Sequence, residues 1–189
     1  MKNFRPLILT GLCLFYGATT SASAAFTIFN FTYSGVSEGN TAVATGQITL
    51  DTAVLPNPGF SIYNPLSSIV SGLSLTVSGA SAGNGTFGLA DFEDMMWNTE
   101  GVTLDFNSEL VGQSGWGDTV GDFNLKTSTD GSNAGAPRGV GPRRLGTFVG
   151  EGDIMLLTSF APAAVPEPSR ALLGALGVLG LVLRRRRSC

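Results

Sequence analysis

The chain has 189 residues, with 11 Lys and Arg against 14 Asp and Glu and no histidine. The lack of histidine excludes Ser-His and Cys-His catalytic arrangements and most zinc sites. Residues 25–165 hold four basic side chains against 13 acidic ones, a net charge of −9, which argues against nucleic acid as a partner because phosphate contacts need Lys and Arg.

The N-terminus carries Lys2 and Arg5, runs on as a mostly apolar stretch from Pro6 to Gly17, and reaches Ala22-Ser23-Ala24 before Ala25-Phe26. A basic start, a short apolar run and an A-x-A exit predict a secretory signal peptide. Residues 1–24 are expected to engage the Sec translocon, with signal peptidase recognising Ala22 and Ala24 and cutting between Ala24 and Ala25. The apolar run is shorter than the ~20 residues that a bilayer span needs. Cys13 follows Leu12, where a lipid-attachment box needs a small residue, so it reads as part of the leader.

Residues 25–165 have the size of one domain. Cys13 and Cys189 lie outside them, so this part has no disulfide, although an exported compartment would permit one. Glycine supplies 26 of the 189 residues, about double the usual share of ~7%. Between the Gly, Asn and Ser clusters lie runs with a period of two.

In Phe26–Tyr33, Phe29, Phe31 and Tyr33 share one face, while Phe26 and Ile28 share the other. A bulge near Ile28 would bring both sets to one core. Gln47–Asp51 places Ile48 and Leu50 together. Leu73, Leu75 and Val77 alternate with Ser74, Thr76 and Ser78, and Val102, Leu104 and Phe106 with Thr103, Asp105 and Asn107. Phe123–Lys126 and Phe148–Phe160 predict further strands, the last with a turn at Gly150-Glu151-Gly152-Asp153. Asp130 to Gly146 reads as a long Gly/Pro/Arg loop. Such short alternating runs predict an all-β fold, an antiparallel β-sandwich of jelly-roll or Ig-like type.

Three segments carry candidate chemistry. Asp91-Phe92-Glu93-Asp94-Met95-Met96-Trp97 groups three carboxylates, read either as a solvated acidic turn or as a Ca²⁺ site without EF-hand spacing. Gly115-Trp116-Gly117-Asp118-Thr119-Val120-Gly121-Asp122 is glycine-rich. Asp118 and Asp122 could wrap an ion or a sugar, with Trp116 either stacking on a sugar ring or plugging the core. Arg138, Arg143 and Arg144 are three of the four basic residues of the domain. They either grip an acidic polysaccharide or phosphate, or pair with the domain's own acids. A glycosidase needs a carboxylate pair in a cleft, and 13 acids make such a pair too easy to be diagnostic. A non-enzymatic domain without cofactor or resident metal is therefore expected.

The C-terminus has a separate logic. Val165-Pro166-Glu167-Pro168 leads through Ser169 and Arg170 into Ala171–Leu183, which is wholly apolar, and then into Arg184, Arg185, Arg186 and Arg187. An apolar run stopped by arginines predicts a transmembrane helix with its C-terminus in the cytoplasm. At ~1.5 Å per residue it reaches ~20 Å, short of the ~30 Å hydrocarbon core, so a transient anchor in the inner membrane is expected. The two prolines flanking Glu167 remove backbone donors and favour an extended backbone, suited to a processing cleft.

This tail resembles the PEP-CTERM sorting signal, also described as the ice-binding protein C-terminal domain. The resemblance covers residues 166–189 and implies processing by exosortase, an integral membrane transpeptidase, at or near Pro166, Glu167 and Pro168, with Arg184 to Arg187 as the membrane stop signal. The opening Phe-Asn-Phe-Thr-Tyr-Ser-Gly, with Thr45-Gly46-Gln47-Ile48-Thr49-Leu50-Asp51, looks like the start of many domains that carry this tail. The resemblance implies a cell-surface or extracellular-matrix product associated with exopolysaccharide or biofilm. A carbohydrate- or Ca²⁺-binding module near Trp97 or Trp116 is the alternative, and a small polysaccharide hydrolase a further one. Ice binding is not expected, since the threonines (Thr41, Thr45, Thr49, Thr76, Thr86, Thr103) are scattered rather than laid out in a repeat.

Overall fold

A computed structural model describes residues 26–127, 135–147 and 152–164. The expected leader, the Pro-Glu-Pro motif, the apolar segment and the arginine cluster lie outside these residues, as do residues 148–151 of the expected last strand. Among the described residues no helix is long and apolar enough to cross a membrane.

The described chain is all-β. Its strands are β1 (Phe26–Ser34), β2 (Val43–Asp51), β3 (Phe60–Tyr63), β4 (Val70–Ser78), β5 (Gly85–Gly88), β6 (Asp94–Asn98), β7 (Asp122–Lys126), β8 (Arg138–Gly141), β9 (Arg144–Gly146) and β10 (Ile154–Pro162). Seven form a curled sheet in the order β5-β4-β2-β1-β10-β9-β8, and three form a second sheet, β3-β6-β7. Every strand pair is antiparallel.

Alternation explains the core. Phe29, Phe31 and Tyr33 of β1, Ile48 and Leu50 of β2, and Leu75 and Val77 of β4 are buried on one face of the large sheet. Met95 and Trp97 of β6 and Phe123 and Leu125 of β7 are buried from the small sheet. Aromatic rings join the two: Phe31 lies 5.7 Å from Phe123, and Phe160 of β10 lies 4.7 Å from Phe123 and 6.2 Å from Trp97. The buried Tyr33 hydroxyl donates to the Phe123 carbonyl at 3.1 Å, a polar tie between the sheets. Gly46 pairs with Phe31 across the ladder, and a Cβ there would stand 2.3 Å from Phe31 Cζ. Only glycine lets that ring lie flat over the neighbouring strand.

Four sequence expectations need correction. No bulge forms near Ile28: β1 pairs with β2 without a slip from Phe26 to Ser34, and Phe26 and Ile28 stay exposed. The register shift lies farther along, between Thr32 and Tyr33 opposite β10, where Thr158 is the extra residue. The Gly/Pro/Arg loop ends in a hairpin, β8–β9, because β9 finds a partner in β10. The acidic segment is not a free turn: Asp94–Asn98 is the middle strand of the small sheet.

The fourth correction concerns Val102–Phe106, which is not a strand. Leu104 is buried, but its backbone has no ladder partner. The Asn57 side chain serves instead: Oδ1 accepts from Leu104 N–H and Nδ2 donates to Leu104 C=O, both at 2.7 Å. Asn57→Ala strips both groups of partners at once. It is expected to cost about 1–2 kcal/mol, read as a lower urea midpoint at unchanged slope.

Candidate functional site

Four chain segments meet around a cleft of about 550 Å³. The β8–β9 hairpin contributes Arg143 and Arg144, the glycine-rich loop contributes Asp118, and β10 contributes Thr158. Ser37, from the turn after β1, and Leu157 of β10 also line it. Asp118 and the two arginines, far apart in the sequence, are thus brought to one cavity.

The hairpin connection is built to hold Arg143. Pro142 and Arg143 join β8 to β9, and Arg143 has a φ of 59°. That left-handed region suits Gly or Asn at the second position of a tight turn and disfavours a long side chain by ~1–2 kcal/mol. The backbone is fixed on both sides: Arg143 N–H donates to Asp122 Oδ1 at 2.7 Å, and Arg143 C=O accepts from Leu157 N–H at 2.9 Å. Arg144 forms a 3.2 Å ion pair with Glu38.

Asp122 stands behind the cleft, not in it. It is buried and also accepts a short bond from Asn124 Nδ2. Burial pushes its carboxyl above the ordinary carboxylate range, against the opposing pull of the Arg143 N–H, the Asn124 amide and the Arg143 charge. Burial likewise raises the Tyr33 phenol well above its ordinary value, with the Asp122 charge adding to it. Asp122 therefore positions Arg143, while Asp118 is exposed to solvent.

The glycine-rich loop hangs on Trp116. Its ring is fully buried, 5.2 Å from Trp97, and its Nε1 donates to Asn98 C=O at 2.9 Å. The expectation of Trp116 as a sugar-stacking platform is corrected: the ring has no free face. Trp97 is equally buried, with Nε1 donating to Pro56 C=O. The indoles are core because each N–H finds a carbonyl inside, so burying them leaves no unpaired polar group.

The acidic segment does not converge. Asp91 Oδ2 accepts from Gly88 N–H at 2.7 Å, Asp94 pairs with Lys126 at 3.8 Å, and Glu93 is exposed. Among the described residues no group of three or more His, Cys, Asp or Glu side chains is placed to hold a metal ion. Arg138 belongs to β8 but does not line the cleft.

Sequence reasoning missed Ser37, Thr158 and Leu157. The Pro-Arg pair at 142–143 was the available signal for the hairpin, since proline favours the first position of a tight turn. Nothing local marks Thr158, whose place follows from pairing with a strand more than a hundred residues earlier.

The fold and cleft define an antiparallel two-sheet domain with an arginine-bearing pocket at one edge. No protein-family model, no curated protein and no solved structure matches the chain.

Proposed function

We propose that this is an exported, non-enzymatic surface or extracellular-matrix protein, sorted through its C-terminal tail by an exosortase-type transpeptidase. The observation that carries the reading is the order Pro166-Glu167-Pro168, apolar Ala171–Leu183, Arg184–Arg187 behind an acidic β-domain. The domain itself is read as a β-sandwich of jelly-roll or Ig-like type, on the strength of two antiparallel sheets joined by a shared aromatic core. After cleavage of the leader, the precursor rests in the inner membrane, and the processed product moves to the surface or matrix, with exopolysaccharide as its associate.

One structural feature supports a tethered domain. Near the start of β1, Phe29 pairs with Pro162 at the end of β10, and Ala163 N–H donates to Ile28 C=O at 2.7 Å. The chain therefore enters and leaves the domain at the same end. A fold with adjacent ends hangs freely from one attachment point, leaving its other surfaces open.

The test is intact mass and fractionation of the native protein beside Glu167→Ala. The expected native species begins at Ala25, lacks Arg184 to Arg187 and leaves the inner membrane. The variant is expected to keep its tail and stay in that membrane. A native protein that retains Cys189 and remains in the inner membrane would overturn the reading.

A further inference from the structure

We propose that the cleft between Asp118, Thr158 and the Arg143–Arg144 pair binds a carboxylate-bearing sugar unit of an acidic glycan. The site is independent of how the chain is sorted, so its failure and that of the sorting reading are separate results.

Charge placement is the first argument. Residues 25–165 carry a net charge of −9 with four basic side chains, yet two of those four line this one cleft. At physiological ionic strength fields fade over ~8 Å, so Arg143, Arg144, Asp118 and the Glu38 that pairs with Arg144, rather than the distant acids, govern what binds.

Backbone geometry is the second argument. An arginine stands where the turn favours glycine or asparagine, and its N–H and C=O are held by Asp122 and Leu157. Strained residues that the surroundings over-determine cluster at binding sites. The strand slip beside the cleft leaves Thr158 as an extra residue of β10, and such bulges re-aim a side chain at functional edges. Two irregularities from separate parts of the chain thus converge on one cavity.

The lining selects the ligand. Arg143 offers a planar fork that matches one carboxylate. Arg144 is already half-committed to Glu38, and Asp118 adds a second nearby acid. A phosphate dianion would meet both acids, whereas a single carboxylate needs one fork. An ionised Asp118 can only accept hydrogen bonds, so it calls for a donor such as a sugar hydroxyl. The Ser37 hydroxyl can do either, the Thr158 hydroxyl, which donates to Thr32 C=O at 3.2 Å, can accept, and Val111 and Leu156 add apolar lining for the C–H face of a ring.

Calorimetric titration of the full chain in detergent tests this with trigalacturonate, neutral galactotriose and inorganic phosphate. Trigalacturonate is expected to bind saturably, galactotriose at least tenfold more weakly, and phosphate without saturable heat. Arg143→Gly and Arg143→Asn both suit the left-handed backbone, so each is expected to keep or raise the melting temperature while lowering trigalacturonate affinity at least tenfold. Four outcomes would overturn the proposal: no saturable heat with trigalacturonate, equal binding of the neutral sugar, phosphate binding as tight as the uronate, or unchanged affinity in both folded variants.

Discussion

Phe160→Ala is expected to remove about 3–5 kcal/mol of folding stability, the usual cost of truncating a buried phenylalanine. Phe160 is fully buried and touches both sheets: its ring lies 5.1 Å from Phe29, 4.7 Å from Phe123 and 6.0 Å from Trp116. The cavity would open at the junction, where neither sheet can relax without moving the other. Domains of this size are stable by only ~5–15 kcal/mol, so the variant loses a large share. Chemical denaturation should show the fall in midpoint, and Phe160→Leu, which restores most of the volume, should recover much of it. A loss below about 1 kcal/mol would mean that the two sheets do not share this core.

Asp122 yields the second large effect, and its direction depends on the replacement. Asp122→Ala leaves the Arg143 N–H without its acceptor in a buried place, at ~1–3 kcal/mol, and takes from the Asn124 amide one of its two acceptors, Gly141 C=O remaining. An expected loss of about 2–4 kcal/mol would loosen the hairpin that carries Arg143 and Arg144. Asp122→Asn keeps an acceptor oxygen and removes the charge that burial disfavours.

The pH dependence separates Asp122→Asn from the parent. The folded-state value of Asp122 is raised, so the native state holds this proton more tightly than the unfolded chain does. Its contribution is fully present below the unfolded carboxylate value of ~3.9 and is lost as pH rises through the higher folded value. Asp122→Asn cannot titrate there, so its stability relative to the parent should climb as pH rises through that window. Asp105 and Asp153 behave in the opposite sense. Hydrogen bonds from Asn107 and Ser81 hold their carboxyls below the ordinary range, so they support the fold above the unfolded value and lose that support as pH falls through the folded one. Thermal midpoints of parent and Asp122→Asn across the acid range read the difference directly. A pH-independent gap between them would refute the burial argument.

Much of the large sheet was legible in the sequence. A period of two in β1, β2 and β4 is a local property, set by which face of a pleated strand turns inward. The grouping of Phe29, Phe31 and Tyr33 on one face follows from that rule, and the structure buries all three while leaving Phe26 and Ile28 exposed. The charge balance and the order of motifs in the tail are also plain in the sequence, because they need no folding to exist.

The candidate site was less legible for a physical reason. Trp116 in a glycine-rich loop looks the same whether its ring meets solvent or another indole. Only the approach of Trp97 and a carbonyl from Asn98 decided for the core. Leu104 alternates like a strand, yet Asn57, 47 residues away, takes both of its backbone bonds. The cleft depends on three long-range pairings: β9 on β10, β10 on β1, and the Arg143 backbone on Asp122. The sequence by itself determined the all-β periodicity, the acidic charge and the tail motif. The tertiary structure alone decided which polar residues share a cavity, because strand pairing joins residues that no local pattern relates.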